Sequence, residues 1–241
     1  DGGEKSIRGK TRLTVRKALV TGAESGIGRV TAIAYAREGA EGALAYMAEE
    51  QSDADEVKKL IEAEGRKVIM LPGNLAEEKY NNEMVKQAYE GLGGLDILAL
   101  IAGRQVAKKS IEEISTEQLI EVYSINVFSL FWTIKEAYPL LPEGASIISC
   151  TSIVASDPSP TLLDYSSTKG AISVFTQGLA QQLSAKGIRV NSVAPGPVWT
   201  ALQISGGQLQ EEIPEFGART PFKRAGQPVE VAPAYVFLAS E

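Results

Sequence analysis

Histidine is absent from the 241 residues, so proton transfer near neutral pH falls to another kind of side chain. Cysteine occurs once, as Cys150, at the end of the apolar run Ser146-Ile147-Ile148-Ser149-Cys150. A single thiol closes no internal disulfide, and this one reads as a core residue in a reducing compartment. No apolar run approaches the roughly 18 residues of a membrane span, and no metal site is expected. Basic residues are outnumbered, with a formal net charge of −6, which argues against nucleic acid as a partner, because backbone binding relies on clustered Lys and Arg. The opening stretch Asp1 to Arg16 is polar and charged and shows no secretory signal, so cytoplasm is the expected compartment. What remains is a protein for small molecules, long enough for one α/β domain.

From Arg16 onward, short apolar runs alternate with longer amphipathic ones. Strands are expected at Ala18 to Thr21, Gly42 to Tyr46, Lys67 to Leu71, Leu95 to Ile101, Ala145 to Cys150 and Ile188 to Ala194. Helical patterns fill the gaps at Gly26 to Glu38, Ser52 to Glu64, Glu77 to Tyr89, Thr116 to Tyr138 and Leu163 to Lys186. This rhythm implies βαβ units and a doubly wound parallel sheet between two helical layers, a Rossmann-like single α/β domain over 16–241. Residues 1–15 form a polar arm. The Pro-, Gly- and Gln-rich stretch Pro195 to Pro228 follows a strand directly and reads as a substrate lid over about 197–225.

Tyr165 alone among the eight tyrosines has a lysine four residues on, Lys169. On a helix the two share a face, and a neighbouring cation stabilises the phenolate, drawing the tyrosine pKa down toward working pH. A second feature follows the first strand: Thr21-Gly22-Ala23-Glu24-Ser25-Gly26-Ile27-Gly28 runs into a helix. Glycines there permit a tight turn and close approach to a pyrophosphate at the helix N-terminus.

Together these motifs resemble the short-chain dehydrogenases/reductases, from about Arg16 to the C-terminus. The family's TGxxxGxG loop matches Thr21 to Gly28, its catalytic tetrad matches Asn126, Ser152, Tyr165 and Lys169, and its PGxVxT segment matches Pro195 to Thr200. The lid text Pro197 to Gln203 with Ser205 to Gln208 is similar to bacterial aldehyde reductases, general stress proteins and plant glucose/ribitol dehydrogenase homologues. The resemblance implies NAD(P)-dependent hydride transfer between nicotinamide and a small aldehyde or ketone, or the matching alcohol. Tyr165 would be the acid/base and Lys169 would tune it and bind the nicotinamide ribose. Ser152 would orient the substrate oxygen, and Asn126 would hold a water beside Lys169.

By the same resemblance the cofactor would meet Gly22, Ser25, Gly26, Ile27, Gly28, Tyr46, Asn74, Leu75, Ala102, Gly103, Tyr165, Lys169, Pro195, Gly196, Val198 and Thr200; the substrate would meet Gln105, Val154, Trp199 and Leu202. Tyr46 stands where NAD users place an acid, so the reading leans to NADP with dual use open; Arg29 is the nearest candidate cation. Two departures matter. Leu100-Ile101-Ala102-Gly103 replaces the family's NNAG, so apolar packing must do the work of the first Asn. The sequence also stops at Ala239-Ser240-Glu241, ahead of the last strand of family members, which puts the sheet edge and any contact through it in question. A homotetramer is expected, or a dimer, through the two long helices with Phe128, Phe131, Trp132, Ile172 and Phe175. Three alternatives stand beside this reading: a polyol or sugar dehydrogenase, a cofactor-sensing protein without turnover, and a sugar-nucleotide epimerase, for which the chain is short.

Overall fold

In the computed structural model, which describes residues 11–241, the six apolar runs become β1 (Lys17–Thr21), β2 (Glu41–Tyr46), β3 (Val68–Pro72), β4 (Ile97–Leu100), β5 (Ser146–Cys150) and β6 (Arg189–Val193). All pairings are parallel, in the order β3-β2-β1-β4-β5-β6. Parallel neighbours cannot be joined by tight turns, so helices must carry the chain back. These are α1 (Gly26–Arg37), α2 (Gln51–Ala63), α3 (Glu78–Leu92), α4 (Thr116–Tyr123), α5 (Ser129–Ala137), α6 (Leu163–Leu183) and α7 (Pro228–Ala239).

Successive strand side chains point to opposite faces, and the two cores divide accordingly. Ala18, Val20, Leu44, Ile97 and Ile148 pack with α1, α2 and α7. Leu19, Ala43, Leu98 and Ile147 pack with α3, α5 and α6. From β1 the chain passes to β2 on one side, while β4 lies on the other. Such a reversal opens a crevice at the carboxyl ends of the strands, and the glycine loop and the segment after β6 both emerge there.

Four features differ from the sequence pattern. The helix expected over Thr116 to Tyr138 is interrupted at Ser124–Phe128 by a wider π-helical turn. Helix α7 was not expected, because Pro228 and Pro233 disguise it. Pro228 occupies the first turn, where an N–H has no helical acceptor to lose, and burial of Ala232, Tyr235 and Val236 offsets the bond that Pro233 cannot make. Part of the polar arm is docked: Leu13 is fully buried in the core, and its N–H donates to Glu38 O at 2.9 Å. The arm's first ten residues lie outside the described ones. Ile172, expected at a subunit contact, is 3% exposed in the core between α6 and the sheet.

The segment over about 197–225, expected from the sequence to be a lid, is tied at its base. Val198 and Gly226 form a parallel bridge, Trp199 N donating to Gly226 O and Gly226 N to Pro197 O, both at 2.8 Å.

Candidate active site

The glycine loop is held open by its own geometry. Gly22 has φ +64°, and a Cβ on Gly28 would stand 1.9 Å from Gly22 O, so side chains at these positions would close the space over the α1 N-terminus. Residues here therefore fit a pyrophosphate, met by backbone N–H groups with no helical partner. The Thr21 hydroxyl accepts from Ile101 N at 3.0 Å and Ala102 N at 3.2 Å, pinning the end of β1 to that of β4. Leu100 and Ile101 are 3% and 9% exposed and turn into opposite cores. Apolar packing plus Thr21 thus steadies the segment.

Tyr165 and Lys169 both lie buried on the first turns of α6, with the Lys169 ammonium 5.3 Å from the phenol ring centre. Lys169 is anchored from two directions: its Nζ donates to Cys150 O at 2.6 Å, and its own carbonyl accepts from Thr151 Oγ1 at 2.8 Å. The helix is thereby fastened to the end of β5. Ser152 follows immediately, and its Oγ accepts from Val154 N at 3.3 Å. The expectation that Lys169 brings the tyrosine pKa down is corrected in its net result. Burial raises it above the ordinary value of 10.0, and this outweighs the opposing pull of the Lys169 charge and of a hydrogen bond with Ser152. Tyr165 is held as the neutral phenol.

Asn126 is fully buried in the π turn rather than on the cleft wall. Its Oδ1 accepts from Arg104 N at 2.7 Å, while its Nδ2 donates to Arg104 O and to Thr168 Oγ1, both at 3.0 Å. The widened turn lets one side chain splice the irregular segment after β4 to α6. It flanks Gly103, where an added Cβ would come 3.5 Å from Asn126 Oδ1 and 3.6 Å from Lys169 Nζ.

These groups open on a cleft of about 670 Å³, within the usual range for a ligand site. All the expected cofactor residues line it: Gly22, Ser25, Gly26, Ile27, Gly28, Tyr46, Asn74, Leu75, Ala102, Gly103, Pro195, Gly196, Val198 and Thr200, with Tyr165 and Lys169. Asn74 Oδ1 already accepts from Ala76 N at 2.9 Å, leaving one lone pair for a ligand. Of the expected substrate residues, Gln105, Val154 and Leu202 line the cleft. Trp199 is not among the described lining residues; it is 38% exposed, and its ring packs on Phe216 at 5.9 Å. Phe216 lines the cleft instead. Arg29 pairs with Glu56 at 3.3 Å and is not among the described lining residues either. Glu24 and Glu50 line the wall unannounced by any motif, since their meeting depends on the turn after β2.

A family model described as enoyl-(acyl carrier protein) reductase matches residues 22–241. The oxidoreductase YhxD of Bacillus subtilis is 62% identical over all of this chain and 82% of its own length, and YghA of Escherichia coli is 59% identical over the same shares. The Arabidopsis thaliana NADPH-dependent aldehyde reductase 1, chloroplastic, is 42% identical over 95% of this chain and 81% of its own. A short-chain dehydrogenase from Burkholderia cenocepacia in complex with NADP superposes with a TM-score of 0.88 at 30% identity, covering 95% of this chain and 92% of that one. With the loop, the buried Tyr165/Lys169 pair and the sheet order in agreement, the chain belongs to the short-chain dehydrogenases/reductases, NAD(P)-dependent oxidoreductases that act on CH–OH groups and the matching carbonyls.

Proposed function

We propose that this chain interconverts small carbonyl compounds and the matching alcohols, with Tyr165 as the proton donor in reduction and the acceptor in oxidation. One observation carries the choice of proton donor: Tyr165 is buried beside Lys169, and burial keeps it the neutral phenol that a developing alkoxide requires. The bound nicotinamide supplies the hydride, as cofactors do in such reactions. Ser152, which lines the same cleft, donates to the carbonyl oxygen in this reading and fixes its angle to the phenol. Lys169, fastened to Cys150 O, offers its remaining N–H groups to the ribose hydroxyls and its charge to the phenolate left after proton transfer. Asn126 is a positioning residue, acting through Arg104 and Thr168.

For the dinucleotide, the sequence lean to NADP rests on the absence of an acid at Tyr46. The B. cenocepacia neighbour was solved with NADP, whereas a Brucella melitensis 3-ketoacyl-(acyl-carrier-protein) reductase, TM-score 0.85 at 26% identity, was solved with NADH. We keep both dinucleotides as ligands of this cleft.

A second reading has its own observation. Beneath the lid, Gln105, Gln203 and Gln208 line the cleft as a connected set, Gln203 Oε1 accepting from Gln105 at 3.4 Å and from Gln208 at 3.2 Å. Three amides suit hydroxyl groups, so polyhydroxylated aldehydes and the corresponding polyols belong in the substrate range. A panel of aliphatic aldehydes, ketones, aldoses and polyols, followed at the nicotinamide absorbance band with NADPH and NADH, tests the proposal. Turnover with none of them while a dinucleotide binds would replace it with the cofactor-sensing reading.

Among the described residues no helix is long and apolar enough to cross a membrane. We infer a homo-oligomer in the cytoplasm, a tetramer or dimer paired through α4, α5 and α6.

A further inference from the structure

Glu24 is an unusual tenant of a glycine loop. It is 8% exposed, it lines the cleft, and its Oε2 is buried with no hydrogen-bond partner, while Oε1 accepts from Ser25 Oγ at 3.0 Å. A buried carboxylate oxygen without a donor is costly, and the Glu50 carboxyl beside it can bond it only when one of the two carries a proton. At the switch point of a dinucleotide fold the end of β2 flanks the adenosine ribose, and Tyr46, Met47 and Glu50 line the same wall.

We propose, resting on the dinucleotide reading above, that Glu24 with Glu50 behind it reads the 2′ position of the adenosine ribose. Charged, Glu24 accepts a hydrogen bond from a 2′-hydroxyl and repels a 2′-phosphate; protonated, it tolerates the phosphate and can donate to it. Cofactor choice then follows pH. Burial, with the Glu50 charge adding to it, raises Glu24 to about 7 against the restraining hydrogen bonds of its own backbone and Ser25. The other ionisable groups facing this end leave the balance to the carboxyl pair. Tyr46, at the end of β2, donates to Gln51 Oε1 at 2.7 Å and is raised by burial, hence neutral. Asp55 of α2 accepts from Gln51 Nε2 at 2.9 Å, and Arg29 of α1 pairs with Glu56. Arg104, Glu121, Tyr165 and Lys169 line the cleft from the other half of the fold.

The test is binding, read without turnover. Dissociation constants of NADH and NADPH are measured by nicotinamide fluorescence from pH 5.5 to 8.5 at constant ionic strength, for the wild type, Glu24→Gln and Glu50→Gln. Calorimetry with ADP and with adenosine 2′,5′-bisphosphate repeats the comparison on the adenosine half alone. In the wild type the ratio Kd(NADPH)/Kd(NADH) should climb by about tenfold across neutrality, a modest value for a like-charge contact in a partly buried cleft. Glu24→Gln should remove that climb and bring the two constants together. Glu50→Gln, which leaves Glu24 in place, should shift the climb to lower pH. The 2′-phosphate's own second ionisation near pH 6 is common to all three proteins and cancels in the comparison. Equal pH dependence in the wild type and Glu24→Gln, with both dinucleotides bound, would overturn the role of Glu24 alone. Binding of neither dinucleotide would overturn the reading beneath it as well.

Discussion

In the proposed reaction the chemistry hangs on one group, the Tyr165 hydroxyl. Removing it as Tyr165→Phe leaves the ring in its buried place, so turnover should fall by about 100-fold or more while the NADPH dissociation constant stays within about twofold; steady-state kinetics and fluorescence titration check the two halves. Lys169→Met should harm both, because the ammonium that would stabilise the phenolate is also the group proposed to hold the ribose. The raised pKa of Tyr165 sets the pH profile. Reduction needs the proton, so kcat for a carbonyl substrate should be level through neutrality and decline only in the alkaline range, whereas oxidation of the alcohol needs the phenolate and should rise with pH. Glu24 acts on stability as well as on the dinucleotide. Its pKa moves from 4.5 to about 7 on folding, so the folded protein binds the extra proton between those values. The stabilisation is fully present below about 4.5 and is lost as pH rises through 7, a swing on the order of 3 kcal/mol at most. Thermal unfolding of the cofactor-free protein should show Glu24→Gln gaining on the wild type as pH is raised from 5 to 8.

Among the elements, the π turn between α4 and α5 is the one whose purpose depends most on a single side chain. Asn126→Ala would strip Arg104 N of its acceptor and Arg104 O of its donor in a buried place, at a cost of about 2 kcal/mol, which for a domain of this size lowers Tm by roughly 4–8 °C. Asn126→Asp keeps the acceptor and loses both donors, and should fall between; calorimetry ranks the three proteins. The sequence could be read well where the chemistry is local. Strands appeared as apolar runs because both faces are covered, and Leu95 and Ile101 were drawn into β4 because both are buried although neither is in the ladder. The glycine loop and the Tyr165/Lys169 pair were legible because each lies within one loop or one helical turn. Where partners are distant the reading stopped. Nothing along the chain says that Glu24 faces Glu50, that Trp199 lies tilted against Phe216, or that Asn126 spends its hydrogen bonds on Arg104 and Thr168. Helix α7 was lost to its prolines, although Glu230 Oε2, accepting from Gln227 N at 2.6 Å, is a helix-start signal three residues apart in the sequence.

At the scale of the whole molecule, the side of the sheet covered by α5 and α6 carries more apolar surface than the core uses. Phe131 is 51% exposed although its ring lies 4.4 Å from that of Phe175, and Phe128 is 44% exposed beside Trp132. Helix α6 adds Val174 at 72%. Aromatic rings left half in water on adjacent helices suit the association proposed above, in which a two-fold axis would set the same patch of each copy against the other. A separate apolar spot sits on α7, where Phe237 is 74% exposed while Tyr235 and Val236 turn inward. Two patches on different helices are what a tetramer built from paired dimers requires, and they can be broken one at a time. Sedimentation velocity at micromolar concentration should show an oligomer for the wild type. The double change Phe128→Glu with Phe131→Glu should yield a smaller species by removing the first contact, and Phe237→Glu should halve a tetramer by removing the second. Neither site is part of the core, so the far-ultraviolet circular dichroism should be unchanged in both variants. A wild type that sediments as a monomer, or an assembly indifferent to both changes, would place the contact elsewhere on the surface.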